Sequence, residues 1–297
     1  MSQQSKILDT LAVVGVGLIG GSLAGALKSS GAVETIVGFG RNPENLQTAL
    51  DRGFVDSVTT DLAEAVSGAD LVLLATPVGT LVDLFSQVGA YLKPGAILTD
   101  AGSVKGHVAD SARVTLGSHF AQFVAAHPIA GRERSGAAAA DIELFRNHWV
   151  VLTPSAETNA RAIETVQQMW ECVGAKVRLM DTETHDRILG MTSHLPHAVA
   201  YALVAQLDAL EGIEDYSSMT AGGFLDITRV ASSDPVMWRD IFIHNADITA
   251  DLIADHRAVL KRLEELVRNK NANELEAWFE SAKKLRSELK SAKNHSK

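Results

Sequence analysis

The chain is poor in cysteine, in basic charge and in long apolar runs, and each shortage excludes something. Cys172 is its only cysteine, so no disulfide can form within the chain, in keeping with a reducing, cytoplasmic setting. Basic residues number 27 against 36 acidic ones, a net charge of −9. That balance argues against nucleic acid or an anionic membrane as the main partner, since both reward a broad basic surface. An anionic ligand must therefore be held by local positive groups. No run of about 18 apolar residues suggests a membrane span. The opening MSQQSKILDT has no signal-peptide core, and no internal repeat or low-complexity linker is found.

The 297 residues are 46% hydrophobic and 21% charged, a globular composition with room for two domains. From residue 7 to about 180, short β-branched apolar runs alternate with helical patterns, as βαβ units around a parallel sheet do. The runs are 11–14, 35–39, 71–75, 96–100, 123–126, 149–153 and 176–180. Several are continuously apolar, as strands covered on both faces should be. After Asp181 the alternation stops, and 182–210 predicts a long helix followed by further helices. A domain boundary is therefore expected near residue 181. The Ala/Leu/Val-rich stretch 198–210 is apolar over much of a helix circumference, which suits burial against another helix or a partner subunit. The polar, basic tail from about 281 reads as a solvated helix end.

The first chemical signal is Gly15-Val16-Gly17-Leu18-Ile19-Gly20. It follows the apolar strand 11–14 and opens a helical segment over 18–30, the setting that makes a GxGxxG a dinucleotide site. Gly15 allows the tight turn, Gly17 lets a pyrophosphate approach the backbone, and Gly20 lets helix and strand pack closely. The N–H groups at Leu18 and Ile19 then open a helix whose dipole favours phosphate. An acidic residue at the end of the second strand would select NAD. This chain instead reads Gly38-Phe39-Gly40-Arg41, so NADP is the expected preference, with Arg41 pairing the 2′-phosphate, and NAD the alternative. Ala75-Thr76-Pro77 and Asp100-Ala101-Gly102-Ser103-Val104-Lys105 both end strands and should face the nicotinamide half.

Hydride removal from an alcohol carbon also needs loss of the hydroxyl proton, work suited to a neutral histidine. His127 follows a strand at that same sheet edge. His194 and His197 lie in Ser193-His194-Leu195-Pro196-His197 with no third ligand evident, so they are read as buried or substrate-facing, and no metal is expected. Pro196 should kink the helix and free backbone groups. In Gly222-Gly223-Phe224-Leu225-Asp226-Ile227-Thr228-Arg229, paired glycines interrupt the helices and Arg229 is a candidate carboxylate anchor. A surface salt bridge is the other reading of Arg229.

Taken together these segments resemble the prephenate and arogenate (cyclohexadienyl) dehydrogenases of tyrosine biosynthesis. The match runs through GxGxxG, Asp100-x-Gly102-Ser103-Val104-Lys105, His127-Pro128-Ile129-Ala130-Gly131, the Ser193–His197 segment, Gly223-Phe224-x-Asp226-x-Thr228-Arg229 and Asp234-Pro235-x-x-Trp238. The resemblance implies an α/β Rossmann-type, doubly wound parallel-sheet domain over residues 1–181. An all-α substrate and dimerisation domain over 182–297 then forms a homodimer. It implies oxidative decarboxylation of arogenate and/or prephenate, giving tyrosine and/or 4-hydroxyphenylpyruvate, with hydride passed to NAD(P)+. By the same resemblance His127 draws off the 4-hydroxyl proton, Ser103 orients both groups and Arg229 binds a substrate carboxylate. Ser193, His197 and Glu133, with Gly222 and Asp226, are implied on the substrate side.

Gly40 departs from the family by standing where many members carry the NAD-selecting aspartate. No stretch is seen for an added regulatory domain or a chorismate mutase-like extension, so any tyrosine inhibition is expected to be competitive at the active site. Two rivals are a β-hydroxyacid dehydrogenase, which employs a catalytic lysine, and a non-catalytic NADP-sensing protein. The His127 and Arg229 motifs speak against both.

Overall fold

The structure is a computed structural model that describes residues 6–132 and 134–295. It divides into two compact units, Met1–Ala246 and Asp247–Lys297. The first opens with β1 (Leu8–Val14), α1 (Leu18–Ser30), β2 (Val33–Phe39), α2 (Pro43–Asp51), β3 (Ser57–Thr59), α3 (Leu62–Val66), β4 (Leu71–Leu74), α4 (Leu81–Gly89), β5 (Ile97–Asp100), α5 (Gly106–Thr115) and β6 (Phe123–Val124). All six strands are parallel, in the order β3-β2-β1-β4-β5-β6. This is the Rossmann-type arrangement, with its strand-order reversal between β1 and β4, where a ligand crevice opens beyond the carboxyl ends. β3 is a short strand that carried no apolar run in the sequence.

Both faces of the sheet are covered. Leu11, Val13, Leu71 and Leu73 join one core, while Ala12, Val14, Val72 and Leu74 join the other. Successive strand residues point to opposite faces, so covering both makes these runs apolar throughout rather than alternating. Local signals set the helix ends. Gly31 closes α1 in the left-handed conformation, and Asn42, ahead of Pro43, caps α2 by accepting from the Asn45 N–H.

The remaining strands leave this sheet. β7 (Ala126–Pro128), β8 (Trp149–Leu152) and β9 (Lys176–Leu179) form a second sheet in which β7 runs antiparallel to β8, with α6 (Ala160–Cys172) connecting β8 to β9. The single apolar run 123–126 is thus divided between two sheets at Ala125. A buried ion pair fixes the break. Asp100 accepts from the Ala126 N–H at 3.0 Å, and Lys105, paired with Asp100, donates to the Ala126 carbonyl at 2.8 Å. Both charged side chains are fully buried.

Beyond Leu179 the chain is helical: α7 (Thr182–Leu189), α8 (Leu195–Asp208), α9 (Ile213–Ser218), α10 (Gly222–Thr228), α11 (Pro235–His244), α12 (Ala246–Arg268) and α13 (Ala272–His295). A π-helical turn, Gly190–His194, joins α7 to α8. Thr182–Asp208 is long and apolar enough by length and composition to cross a membrane, although it contains no unbroken apolar run of that length. Polar side chains, among them His185, Asp186, Ser193, His194 and His197, interrupt its apolar pattern. Within α8 only Leu195 and Ala200 are buried, so core packing within the chain leaves most of this apolar helix uncovered.

Breaking a buried ion pair strands the surviving charge, at a cost of about 3–5 kcal/mol. Lys105→Met is expected to lower unfolding stability by about that amount. Urea denaturation followed by circular dichroism measures it, and an unchanged midpoint would show that Asp100 needs no cation.

Candidate active site

One cleft opens at the carboxyl ends of β1, β2 and β4, and a second is shared by residues of the Rossmann half and of the later helices. The first, about 550 Å³, is lined by Gly15, Val16 and Gly17, by Gly40, Arg41 and Asn42 after β2, and by Thr76, Pro77 and Thr80 after β4. A Cβ on Gly15, whose φ is +99°, would lie 2.6 Å from the Ala75 carbonyl oxygen, and one on Gly20 would lie 2.2 Å from that of Gly15. Neither position accepts a side chain. Above Gly17, by contrast, nothing lies within 4 Å, leaving the approach a pyrophosphate needs. Leu18 and Ile19 pack against the core rather than line the cleft, so what they offer is main-chain N–H at the start of α1. The cradle fits a dinucleotide. Arg41 is exposed at its rim.

The second cleft, about 1130 Å³, is lined by Arg52, Arg132, Arg134 and Asp141 from the Rossmann side and by Ser193, His197, Arg229 and Trp238 from the helices. Arg132 pairs with Asp141. The α7–α8 junction aims Ser193 and His197. Pro196 lacks the N–H that a helix interior requires. The preceding turn widens, and the His197 Nδ1 bonds the Ser193 carbonyl at 2.8 Å. Its ring stacks on Trp238 with centroids 3.5 Å apart and an interplanar angle of 22°. Trp238 is positioned by α11, which Asp234 caps just before Pro235. Burial holds the proton affinity of His197 below its ordinary value. His194 instead points into the core against Asn245, 3.1 Å away, and burial first of all takes its pKa down to about 4.

His127 sits at the centre of β7, beside the ion pair that splits the sheets. Its Nδ1 lies 2.8 Å from Nε2 of His185, whose Nδ1 lies 2.7 Å from an Asp186 carboxylate oxygen. The Lys105 and Gly106 N–H groups each donate to Asp186 at 2.8 Å. The proton positions follow. A carboxylate only accepts, so the His185 Nδ1 donates to it, leaving Nε2 as an acceptor. The His127 Nδ1 must then donate to His185, leaving the His127 Nε2 with a free lone pair. Burial, and then the neighbouring His185 and Lys105, push the His127 pKa well below its ordinary value. Burial would raise the Asp186 carboxyl, but hydrogen bonds from His185, Lys105 and Gly106 outweigh it and hold the group ionised. The chain His127–His185–Asp186 is a neutral base with an enforced tautomer.

The expected residues are thus distributed unevenly. Ser193, His197 and Arg229 share one cleft, and Gly15, Gly17, Gly40, Arg41, Thr76 and Pro77 share the other. Ser103 is half-buried in the loop between β5 and α5. Gly222 and Asp226 are exposed on α10, outside the lining of the cleft, and Glu133 lies outside the described residues. Sequence reasoning did not single out His185, Asp186, Arg52 or Arg134. The adjacent His-Asp pair was the available signal, but nothing in one dimension set it beside residue 127.

Comparison with known proteins identifies relatives of this chain along nearly its whole length. The family described as "Prephenate dehydrogenase, nucleotide-binding domain" matches residues 23–179, and "Prephenate dehydrogenase, dimerization domain" matches 181–281. A cyclohexadienyl dehydrogenase of Zymomonas mobilis is 36% identical over 96% of this chain and 97% of its own. A prephenate dehydrogenase of Bacillus subtilis is 37% identical over 96% of this chain and 77% of its own. The crystal structure of a prephenate dehydrogenase from A. aeolicus, in complex with hydroxyphenyl propionate and NAD+, superposes with a TM-score of 0.91 at 37% identity. It covers 96% of this chain and 100% of that one.

An amide cannot accept the Lys105, Gly106 and His185 N–H groups with one oxygen, so Asp186→Asn should release the His127 tautomer. Turnover is expected to fall by about 10²-fold or more with KM little changed, and raising the pH should not restore it, because a tautomer rather than a charge is lost. In the unsubstituted protein the acid limb of kcat should lie below pH 6.5, the ordinary histidine value. The base form is lost only as pH falls through the depressed value. Steady-state kinetics of the folded variant across pH tests this; normal turnover would dismiss the relay.

Proposed function

The chain belongs to the prephenate dehydrogenase family, and from that premise we propose that it oxidatively decarboxylates prephenate to 4-hydroxyphenylpyruvate with NADP as the preferred oxidant. The observation that carries this reading is the enforced tautomer of His127, a neutral base on β7 held beside the Asp100–Lys105 pair that ends β5. When bound, the nicotinamide cofactor supplies the hydride acceptor. The His127 Nε2 takes the proton of the 4-hydroxyl as a carbonyl develops at that carbon, and Ser103 orients the hydroxyl against the imidazole. The ring carboxylate departs as CO2, and aromatisation makes the step effectively irreversible.

Arg229 holds a substrate carboxylate, with Ser193 and His197 beside it. The stacked Trp238 keeps the His197 ring upright while the Ser193 carbonyl fixes its rotation. Arg52, Arg132, Arg134 and Arg229 make the cleft a local cationic patch on an acidic chain. A dianion suits that lining better than arogenate, whose side chain carries an ammonium group. Arg41, with no carboxylate beside it at the end of β2, favours the 2′-phosphate of NADP. Tyrosine carries the same 4-hydroxyphenyl group and a carboxylate, so it competes for this cleft. The uncovered face of α8, where Val204 is exposed, is the surface on which residues 182–297 join a second copy.

Absorbance of the reduced nicotinamide, followed with prephenate or arogenate and with NAD or NADP, tests the proposal. The highest kcat/KM is expected for prephenate with NADP; a clear preference for NAD overturns the cofactor assignment, and no turnover overturns the reaction. His127→Asn should cut kcat by about 10²–10⁴-fold with KM nearly unchanged.

A further inference from the structure

Described residues of α1 and α2 tie down the loop that lines the substrate cleft. Three contacts tie it down. Asn45, in the first turn of α2, accepts from the Ala137 N–H at 2.6 Å through Oδ1 and donates to the Val16 carbonyl at 2.7 Å through Nδ2. Arg52, just past the end of α2, donates to the carbonyls of Ala137 and Ala138 at 2.8 and 3.0 Å. Ser22 of α1 accepts from the Asp141 N–H at 2.8 Å. Only Asn45 reaches the glycine turn itself.

We propose that Asn45 is a positioning residue that couples the two sites, its carboxamide transmitting occupation of the cofactor cradle to the loop that shapes the substrate cleft. Val16 stands between the two glycines over which a pyrophosphate would lie. Its carbonyl orientation therefore depends on how that turn is held. The same carboxamide that reads Val16 also grips Ala137, and both polar ends of Asn45 are engaged, so it cannot follow one partner without moving the other. Asn45 and Gly136 themselves line the cofactor cleft, while Ala138, Ala139 and Asp141, the next turn of chain, line the substrate cleft. Asp141 pairs with Arg132, so a shift of the loop moves a cation of the substrate site. Linkage makes the effect reciprocal: substrate-side ligand must tighten cofactor by the factor that cofactor tightens it.

The inference rests on the functional reading above, and binding rather than turnover tests it. The dissociation constant of oxidised NADP is measured by calorimetry alone and with saturating 4-hydroxyphenylpyruvate, the product, which forms no reacting pair with it. In the unsubstituted protein the product should tighten cofactor by at least about fivefold, the lower end of ordinary coupling. Direct contact between the ligands contributes to that factor, so the variants decide. Asn45→Ala removes both arms. Asn45→Asp keeps the acceptor for Ala137 but sets a carboxylate oxygen against the Val16 carbonyl, cutting the cofactor arm alone and leaving the loop docked should the alanine variant misfold. In each folded variant the ratio is expected to fall toward one, whatever happens to the separate affinities. An undiminished ratio in Asn45→Asp, or a ratio of one in the unsubstituted protein, overturns the coupling. Failure of the product to bind at all overturns the functional reading beneath it.

Discussion

One buried carboxylate, Asp186, holds the chemistry of this protein together. It takes two main-chain N–H groups from the loop after β5 and one ring N–H from its neighbour His185. The first two bonds join the start of α5, just beyond β5, to α7, the first helix of the all-helical stretch. The third dictates where every proton sits between that helix and β7. A buried anion with a single donor would be costly, because several kcal/mol of desolvation must be offset. With three donors it is satisfied, and its satisfaction is what gives His127 a definite face as a base. The nearby Lys105–Asp100 pair works alongside it, since it fixes the main chain on either side of Ala126 and hence the strand on which His127 rides.

On the proposed reading, the two clefts would bind anions on an acidic chain in different ways. The cofactor cradle uses main-chain dipoles, with glycines removing the side chains that would block approach. The substrate cleft uses guanidinium groups, and these are not loose surface charges. Arg52 lies over the Phe54 ring, 4.4 Å from its centroid, while donating to two carbonyls, and Arg132 is held by Asp141. Rigid donors lose less entropy on binding than free ones do. The cationic patch is therefore local and preorganised, which is why net charge gave no hint of it.

Much of the first half was legible because strand and helix leave opposite periodicities. The runs at 11–14, 71–75 and 96–100 mark β1, β4 and β5, and the glycine turn marks the crevice. The second sheet was not legible. Residues 123–126 form one apolar run, and the break at Ala125 is imposed by Asp100 and Lys105, which lie twenty or more residues upstream. The π-helical turn was half legible: Pro196 promised disturbed hydrogen bonding, but not its form. At the site, His127 and Arg229 could be chosen by residue type and context. His185 and Asp186 could not, because a His-Asp dipeptide on a helix has no meaning until a strand from another sheet meets it. Asn45 was hidden for the same reason, its partners at Val16 and Ala137 being far from it in sequence and on opposite sides.

The widened turn at Gly190–His194 also bears on how such a site tolerates evolutionary change. In a regular helix, residues 185 and 197 would point about 120° apart, being twelve positions removed at 3.6 residues per turn. The extra breadth of the π turn winds that angle back, bringing the relay histidine and the cleft histidine toward a common side. Such a turn accommodates a residue that a tight helix would not. Losing a single position from 190–194 would return the segment to a regular helix with the two histidines eleven positions and about 20° apart. Their common direction would survive that loss, whereas losing one position elsewhere between them, with the wide turn kept, would swing one of them by about 100°. Lineages of this fold should therefore tolerate a change of one residue within that turn and scarcely any on either side of it.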